Sequence, residues 1–184
     1  MGKIFSKITF FLPILLILFV GPSCFLKGTK NPGKVIGYSP GLVKTKKGSY
    51  GVGLISGDWK VSKVDRYKVL VLYSDQHKSS IESDAFCDQS YNDASLSVLT
   101  NHLHTGITEK KTLSATPMML DGRAALRSVV QGKVDGVSIV LDSVVIKKDV
   151  CMFDFVLISP PANYPQAKPD FENFFQGFQY TGDI

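Results

Sequence analysis

The chain has 184 residues, 44% of them hydrophobic, with three cysteines and a formal net charge of +5. That length fits one ordinary domain with extra segments, and the apolar fraction can fill a core. The charge is segregated. Residues 1–50 carry eight lysines and no acid, whereas residues 51–184 carry 13 basic against 16 acidic side chains, a net of −3. A mildly acidic body lacks the electrostatic footprint for a phosphate backbone, so nucleic acid is not expected as a partner.

Lys3 and Lys7 precede the apolar run Ile8–Val20, and Gly21-Pro22-Ser23-Cys24 follows it. A short basic start, an apolar stretch and small residues at its end describe an export signal over residues 1–23. Ser23-Cys24 resembles a bacterial lipobox, which makes Cys24 the candidate lipidated first residue of the mature protein. Gly21 and Pro22 depart from that pattern, standing where an aliphatic and a small residue are usual. The other reading is an uncleaved transmembrane anchor. Ile8–Leu26 is free of charge, and a stretch of that length spans roughly 28 Å as a helix. Pro13, Gly21 and Pro22 weaken such a helix. Both readings place the body in the cell envelope, at the periplasmic face of a bacterial membrane.

Residues 24–50 are rich in Gly, Pro and Lys and read as a flexible basic tether, either solvated or resting on anionic headgroups. Gly51, Gly53 and Gly57 have neither the spacing nor the preceding strand of a phosphate loop.

Residues 51–184 read as a single domain. Leu54–Val64 and Lys68–Tyr73 are strand-like runs around the only tryptophan, Trp59, with Asp65-Arg66 as the turn. Trp59 is expected to anchor a core. Ser79–Cys87 is a strand rich in polar residues, which suggests a place near an edge. The period then changes: Leu96, Leu99 and Leu103 fall at i, i+3 and i+7, after Asp93 or Ser95 as a cap and before Gly106 as a stop. This spacing predicts one amphipathic helix of about eleven residues. Thr112–Leu120 is extended, with Pro117 marking an edge or a bulge.

Asp121-Gly122 turns the chain into Arg123–Val134, and Asp135-Gly136 lies between two β-branched runs, a strong hairpin signal. Lys147-Lys148-Asp149 separates the second run from a third. In that third run Cys151, Phe153, Phe155 and Leu157 share one face, and Val150, Met152, Asp154, Val156 and Ile158 the other. The strand is therefore buried on both sides. After Pro160-Pro161, Phe171, Phe174, Phe175 and Phe178 form one stripe of a helical element over Tyr164–Phe178, with Pro165 and Pro169 suited to its first turns. The order β-β-β-α-β-β-β-β-α implies an α+β fold, an antiparallel β-sheet with helices packed on it.

The run LDGRAALRSVVQGKVDGVSIVLDSVVIKKDVCMFDFVLISPP, followed by F-x-x-F-F-x-G-F, resembles a group of uncharacterised bacterial lipoproteins. Their body is similar to the Mog1/PsbP-like α/β/α sandwich. The resemblance covers about residues 80–178. In that group the turn before the cysteine ends in Gly; Val150 stands there in this chain, which alters the turn rather than the fold. The resemblance brings no catalytic residue. It implies a binding or assembly module, and fold alone is a weak guide to function.

With Cys24 assigned to a lipid, Cys87 and Cys151 remain as an even pair in an oxidising compartment, and a disulfide between them is expected. A nucleophilic thiol would need a nearby base and an electropositive setting. His102 and His104 lie two apart on a predicted helix and so point away from each other, which does not suit one metal. They and His77 read as surface or half-buried side chains, and neither metal nor cofactor is expected. Asp154 is the odd charge in an apolar strand. It is expected either to pair with Arg123 or Arg127 across the sheet or to face solvent. No catalytic constellation stands out. The expected function is a non-catalytic binding or assembly module tethered to the membrane, with an envelope protein as partner. The alternative is a carrier of a lipid or other apolar ligand between helix and sheet.

Overall fold

The computed structural model describes residues 33–62, 69–87 and 93–182. The leader with Cys24, most of the turn region around Asp65-Arg66 and the start of the tether lie outside the described residues. The strands are β1 (Val35–Ser39), β2 (Leu42–Thr45), β3 (Gly48–Gly51), β4 (Lys60–Val61), β5 (Leu70–Ser74), β6 (Ser79–Phe86), β7 (Thr108–Leu120), β8 (Arg123–Val134), β9 (Val137–Lys148), β10 (Cys151–Ser159) and β11 (Gln179–Gly182). Helix α1 (Leu96–Leu103) lies between β6 and β7, and α2 (Tyr164–Gln176) between β10 and β11.

Two antiparallel sheets result. The larger has seven strands in the order β4-β5-β6-β10-β9-β8-β7; the smaller has four, β1-β2-β3-β11. Strands β7 to β10 form a continuous meander because their turns are short and tightly specified. At Asp121-Gly122 and Asp135-Gly136 both residues take positive φ, 45° and 72° in the first and 49° and 81° in the second. Two successive positive φ angles give a turn whose twist matches that of the strands it joins. The third turn is Asp149-Val150, with Asp149 at φ 56°, and it pairs Lys148 directly with Cys151.

The two faces of β10 are buried against different layers. Phe153, Phe155 and Leu157 join Tyr50, Val43 and the phenylalanines of α2 in the main core, all almost without solvent exposure. Met152 packs with Leu99 of α1 and Val145, and Val156 with Val130 and Leu141. The layers are therefore α1, the large sheet, and then α2 together with the small sheet. Helix α1 buries Leu99 against the large sheet and leaves Val98 exposed.

Four readings of the sequence are corrected. The tether assigned to residues 24–50 is strand from Val35 onward, because Val35, Val43, Thr45 and Tyr50 point inward while Lys34, Lys44 and Lys46 point out. Glycine and lysine content marked this stretch as a spacer, but the alternation of a few apolar residues decided it. Ser79–Cys87 is not an edge strand: β6 pairs with β5 on one side and β10 on the other. Two of its serines, Ser79 and Ser83, are buried, and Ser79 Oγ donates to Ser159 Oγ at 2.8 Å. Among the described residues, the run Leu54–Val64 contributes only the short β4. Helix α1 has eight residues, capped by Ser95, whose hydroxyl accepts from the Val98 amide, and not by Asp93. Pro117 lies in β7, an edge strand with two register shifts between Thr108 and Ser114.

Candidate functional site

A groove of about 490 Å³ opens between α2 and the outer strands β7 and β8. Leu113 and Met118 of β7 and Val129 of β8 form its apolar walls, and Arg127, Tyr164 and Lys168 supply the polar lining. The groove exists because the large sheet is wider than the helix that covers it. Strands β7 and β8 run beyond α2, and the alternation of the strands leaves their inward side chains facing a gap.

At the base of the groove Arg127 is held from three sides. Its Nε donates to Asp142 Oδ1 at 2.9 Å, its Nη2 to Asp142 Oδ2 at 2.6 Å and its Nη1 to Glu172 Oε1 at 2.6 Å. The guanidinium also lies 5.3 Å from the centre of the Phe175 ring. Tyr164 donates its hydroxyl to Asp142 Oδ2 at 2.9 Å, and Lys168 reaches Glu172 at 3.1 Å, one turn away on α2. Burial works against the charge on Arg127, yet its hydrogen bonds and ion pairs with Asp142 and Glu172 outweigh that and hold it further into the protonated range. Glu172 follows the same logic: burial opposes ionisation, and Arg127 with Lys168 keeps its carboxyl below the usual range. The Tyr164 hydroxyl is pushed up by burial and then by the charge of Asp142. Two cations and two carboxylates thus balance. Such a network gives a fixed, preorganised surface rather than a group poised to move protons near neutral pH.

Cys87 and Cys151 are bonded, with their Cα atoms 4.0 Å apart, as expected from the even pair. The bond ties the end of β6 to the start of β10, and it points to an oxidising, extracytoplasmic compartment. No helix among the described residues is long and apolar enough to cross a membrane.

Asp154 departs from its expected partners. It pairs in the sheet with Val145, which in turn pairs with Leu126. Arg127 is one residue along from Leu126, and one residue in a strand means the opposite face. Arg123 instead lies 4.0 Å from Asp149 at the edge of the molecule. Asp154 faces the α1 side, is buried, and stands directly opposite Asp84 of β6. Burial, and then the charge of Asp84, raise its carboxyl to about 7.

The histidines are dispersed. His77 lies 3.8 Å from Asp170, which also accepts from Trp59 Nε1 at 2.9 Å. Trp59 packs at the margin of the main core and so helps to seat α2. His104 caps α1 and is 5% exposed. Among the described residues no group of three or more His, Cys, Asp or Glu side chains could hold a metal ion.

No family model and no curated protein matches the sequence. Solved structures match the fold. A protein of unknown function from Pseudomonas aeruginosa shares 17% identity over 77% of this chain and 97% of its own, with a TM-score of 0.53. A Bacteroides thetaiotaomicron protein shares 15% over 83% of this chain and 50% of its own, at 0.54. The cyanobacterial PsbP protein of Synechocystis shares 16% over 88% of this chain and 100% of its own, at 0.53. At such identities the likeness is one of fold, and the fold is PsbP-like.

Proposed function

We propose that the chain is an extracytoplasmic lipoprotein, anchored through Cys24, whose sandwich is a non-catalytic binding or assembly module of the cell envelope and uses the groove beside α2 as its contact site. The observation that carries this reading is the groove itself. Apolar walls from Leu113, Met118 and Val129 surround polar groups that are already held in place by one another. A partner inserted there meets a surface that needs little reordering, which lowers the cost of association. The carrier alternative would need a deep apolar cavity enclosed beneath α2. Phe171, Phe174, Phe175 and Phe178 fill that space, each no more than 2% exposed, and this favours the binding module.

A photo-crosslinker at Leu113 or Met118, in cells, should join the protein to an envelope protein; the same group at Val98 on the α1 side serves as control. Equal crosslinking at all three positions, or lipid recovered in stoichiometric amount from the purified protein, would overturn the groove reading. The anchor is tested separately. Cys24→Ala should abolish palmitate labelling and either release the protein or leave its precursor. Unchanged processing and labelling would leave the uncleaved anchor as the better account.

A further inference from the structure

The α1 face of the sheet carries an acidic pair that the groove does not use. Asp154 and Asp84 are direct cross-strand partners on β10 and β6. Asp154 is 6% exposed, and its Oδ1 has no hydrogen-bond partner. Like charges opposed on one face of a sheet repel, and a buried carboxylate without a donor is costly in its own right.

The flanking groups do not neutralise Asp154. Glu82 lies two residues further along β6, on the same face, and adds another acid, itself pushed up by burial. Burial raises Asp84, and the Ala85 amide, which donates to its Oδ1 at 2.8 Å, and then Lys34, just before β1, oppose this, which leaves that carboxyl at about 6. Lys147 of β9 donates to the Ala94 carbonyl at 2.8 Å. His104, at the end of α1, has its pKa lowered by burial and then by Lys110. The geometry thus accommodates the pair when it retains a proton and strains it when both carboxyls ionise.

We propose that Asp84 and Asp154 form a proton-operated latch, in which a proton retained by the pair keeps β6 and β10 together beneath α1 and its loss loosens that side of the sandwich. The other face, with the groove and the phenylalanine core, lies across the sheet and is not part of the latch. In an extracytoplasmic compartment such a latch would couple the α1 side to the acidity of the surroundings.

Amide hydrogen exchange of the full chain in detergent, between pH 5.5 and 8.5 and corrected for the chemical exchange rate, tests this. Protection of 79–86 and 96–103 should fall by about tenfold or more as pH rises, while 42–51 changes little. Asp154→Asn should diminish that dependence. Asp84→Asn, which takes away the charge that helps to raise Asp154, should move the transition to lower pH. Protection independent of pH in the parent, an undiminished dependence in Asp154→Asn, or an unmoved midpoint in Asp84→Asn would each overturn the latch.

Discussion

The Tyr50 hydroxyl lies 2.8 Å from Ser83 Oγ, inside the core, and so joins β3 of the small sheet to β6 of the large one. The ring itself meets Phe153 and Phe155 edge-on, at centroid distances of 5.2 and 6.3 Å. Tyr50→Phe removes one hydrogen bond and leaves Ser83 unpaired, which should cost about 1–3 kcal/mol. Tyr50→Ala also opens a cavity and should cost about 3–5 kcal/mol. Urea unfolding of the two variants checks the order. Equal, negligible losses would mean that the small sheet is not integral to the domain.

The final helix depends on its phenylalanine stripe. Phe174 is fully buried and its ring lies 6.2 Å from that of Phe155. Phe174→Ala should lower stability by about 3–5 kcal/mol, and melting temperature and cellular amount should fall together. A variant that melts like the parent but loses a binding partner would make the stripe an interface instead.

Arg127 should be hard to replace. Its side chain is 18% exposed, and Asp142, which it meets through two hydrogen bonds, is 0% exposed. Arg127→Met leaves a buried carboxylate uncompensated and should destabilise by about 3–5 kcal/mol. Arg127→Met combined with Asp142→Asn should recover much of that loss, because the orphaned charge is gone. A double-mutant cycle with no coupling would refute the network as described.

Stability should depend on pH with a sign set by Asp154. A carboxyl raised to about 7 binds its proton more tightly in the folded state than in the unfolded one. Stability is therefore greatest at the acid side of this transition, falls as pH rises from about 4 to about 7, and stays lower above it. Asp154→Asn should flatten that decline, with a gain of order 3–4 kcal/mol at most near pH 8. Glu172 works in the opposite sense, since its lowered pKa supplies stability that is lost in acid. Denaturant midpoints of parent and variant at pH 5 and pH 8 measure the difference.

Reduction of the Cys87–Cys151 bond frees a loop that spans α1 and β7 to β9. On the chain-entropy model a loop of this length contributes at most about 4 kcal/mol. Reductant should lower the melting temperature of the parent and leave Cys151→Ser unchanged. Two thiols that alkylate freely in the unreduced, denatured protein would contradict the bond.

Much of this architecture is legible in the chain. Periods of two and of 3.6, Asp-Gly turns and the phenylalanine stripe locate β7 to β10, α1 and α2, because each is a local property of backbone and side chain. The even cysteine pair indicates the disulfide in the same way. The place of Asp154 was also within reach. With two-residue turns at Asp135-Gly136 and Asp149-Val150, counting outward pairs Asp154 with Val145 and Leu126, which excludes Arg127. A turn at Lys147-Lys148-Asp149 would shift that register, whereas Lys148 pairs directly with Cys151.

Other features have no local signal. Strand β11 completes a sheet with β3, far away in the chain, and Val35 to Gly51 become strand only because a core is there to receive Val43 and Tyr50. Gly53 donates its amide to Phe174 O at 2.8 Å, and a Cβ built there would come within 1.9 Å of Asn173 O. That glycine answers to a helix end more than a hundred residues on, not to a phosphate. The groove likewise depends on how far a sheet extends past a helix, and the ion network on side chains from β8, β9 and α2 that meet only once those elements have packed. Local spacing determined the elements of this protein; long-range packing decided which of their faces stayed open and which charges came together.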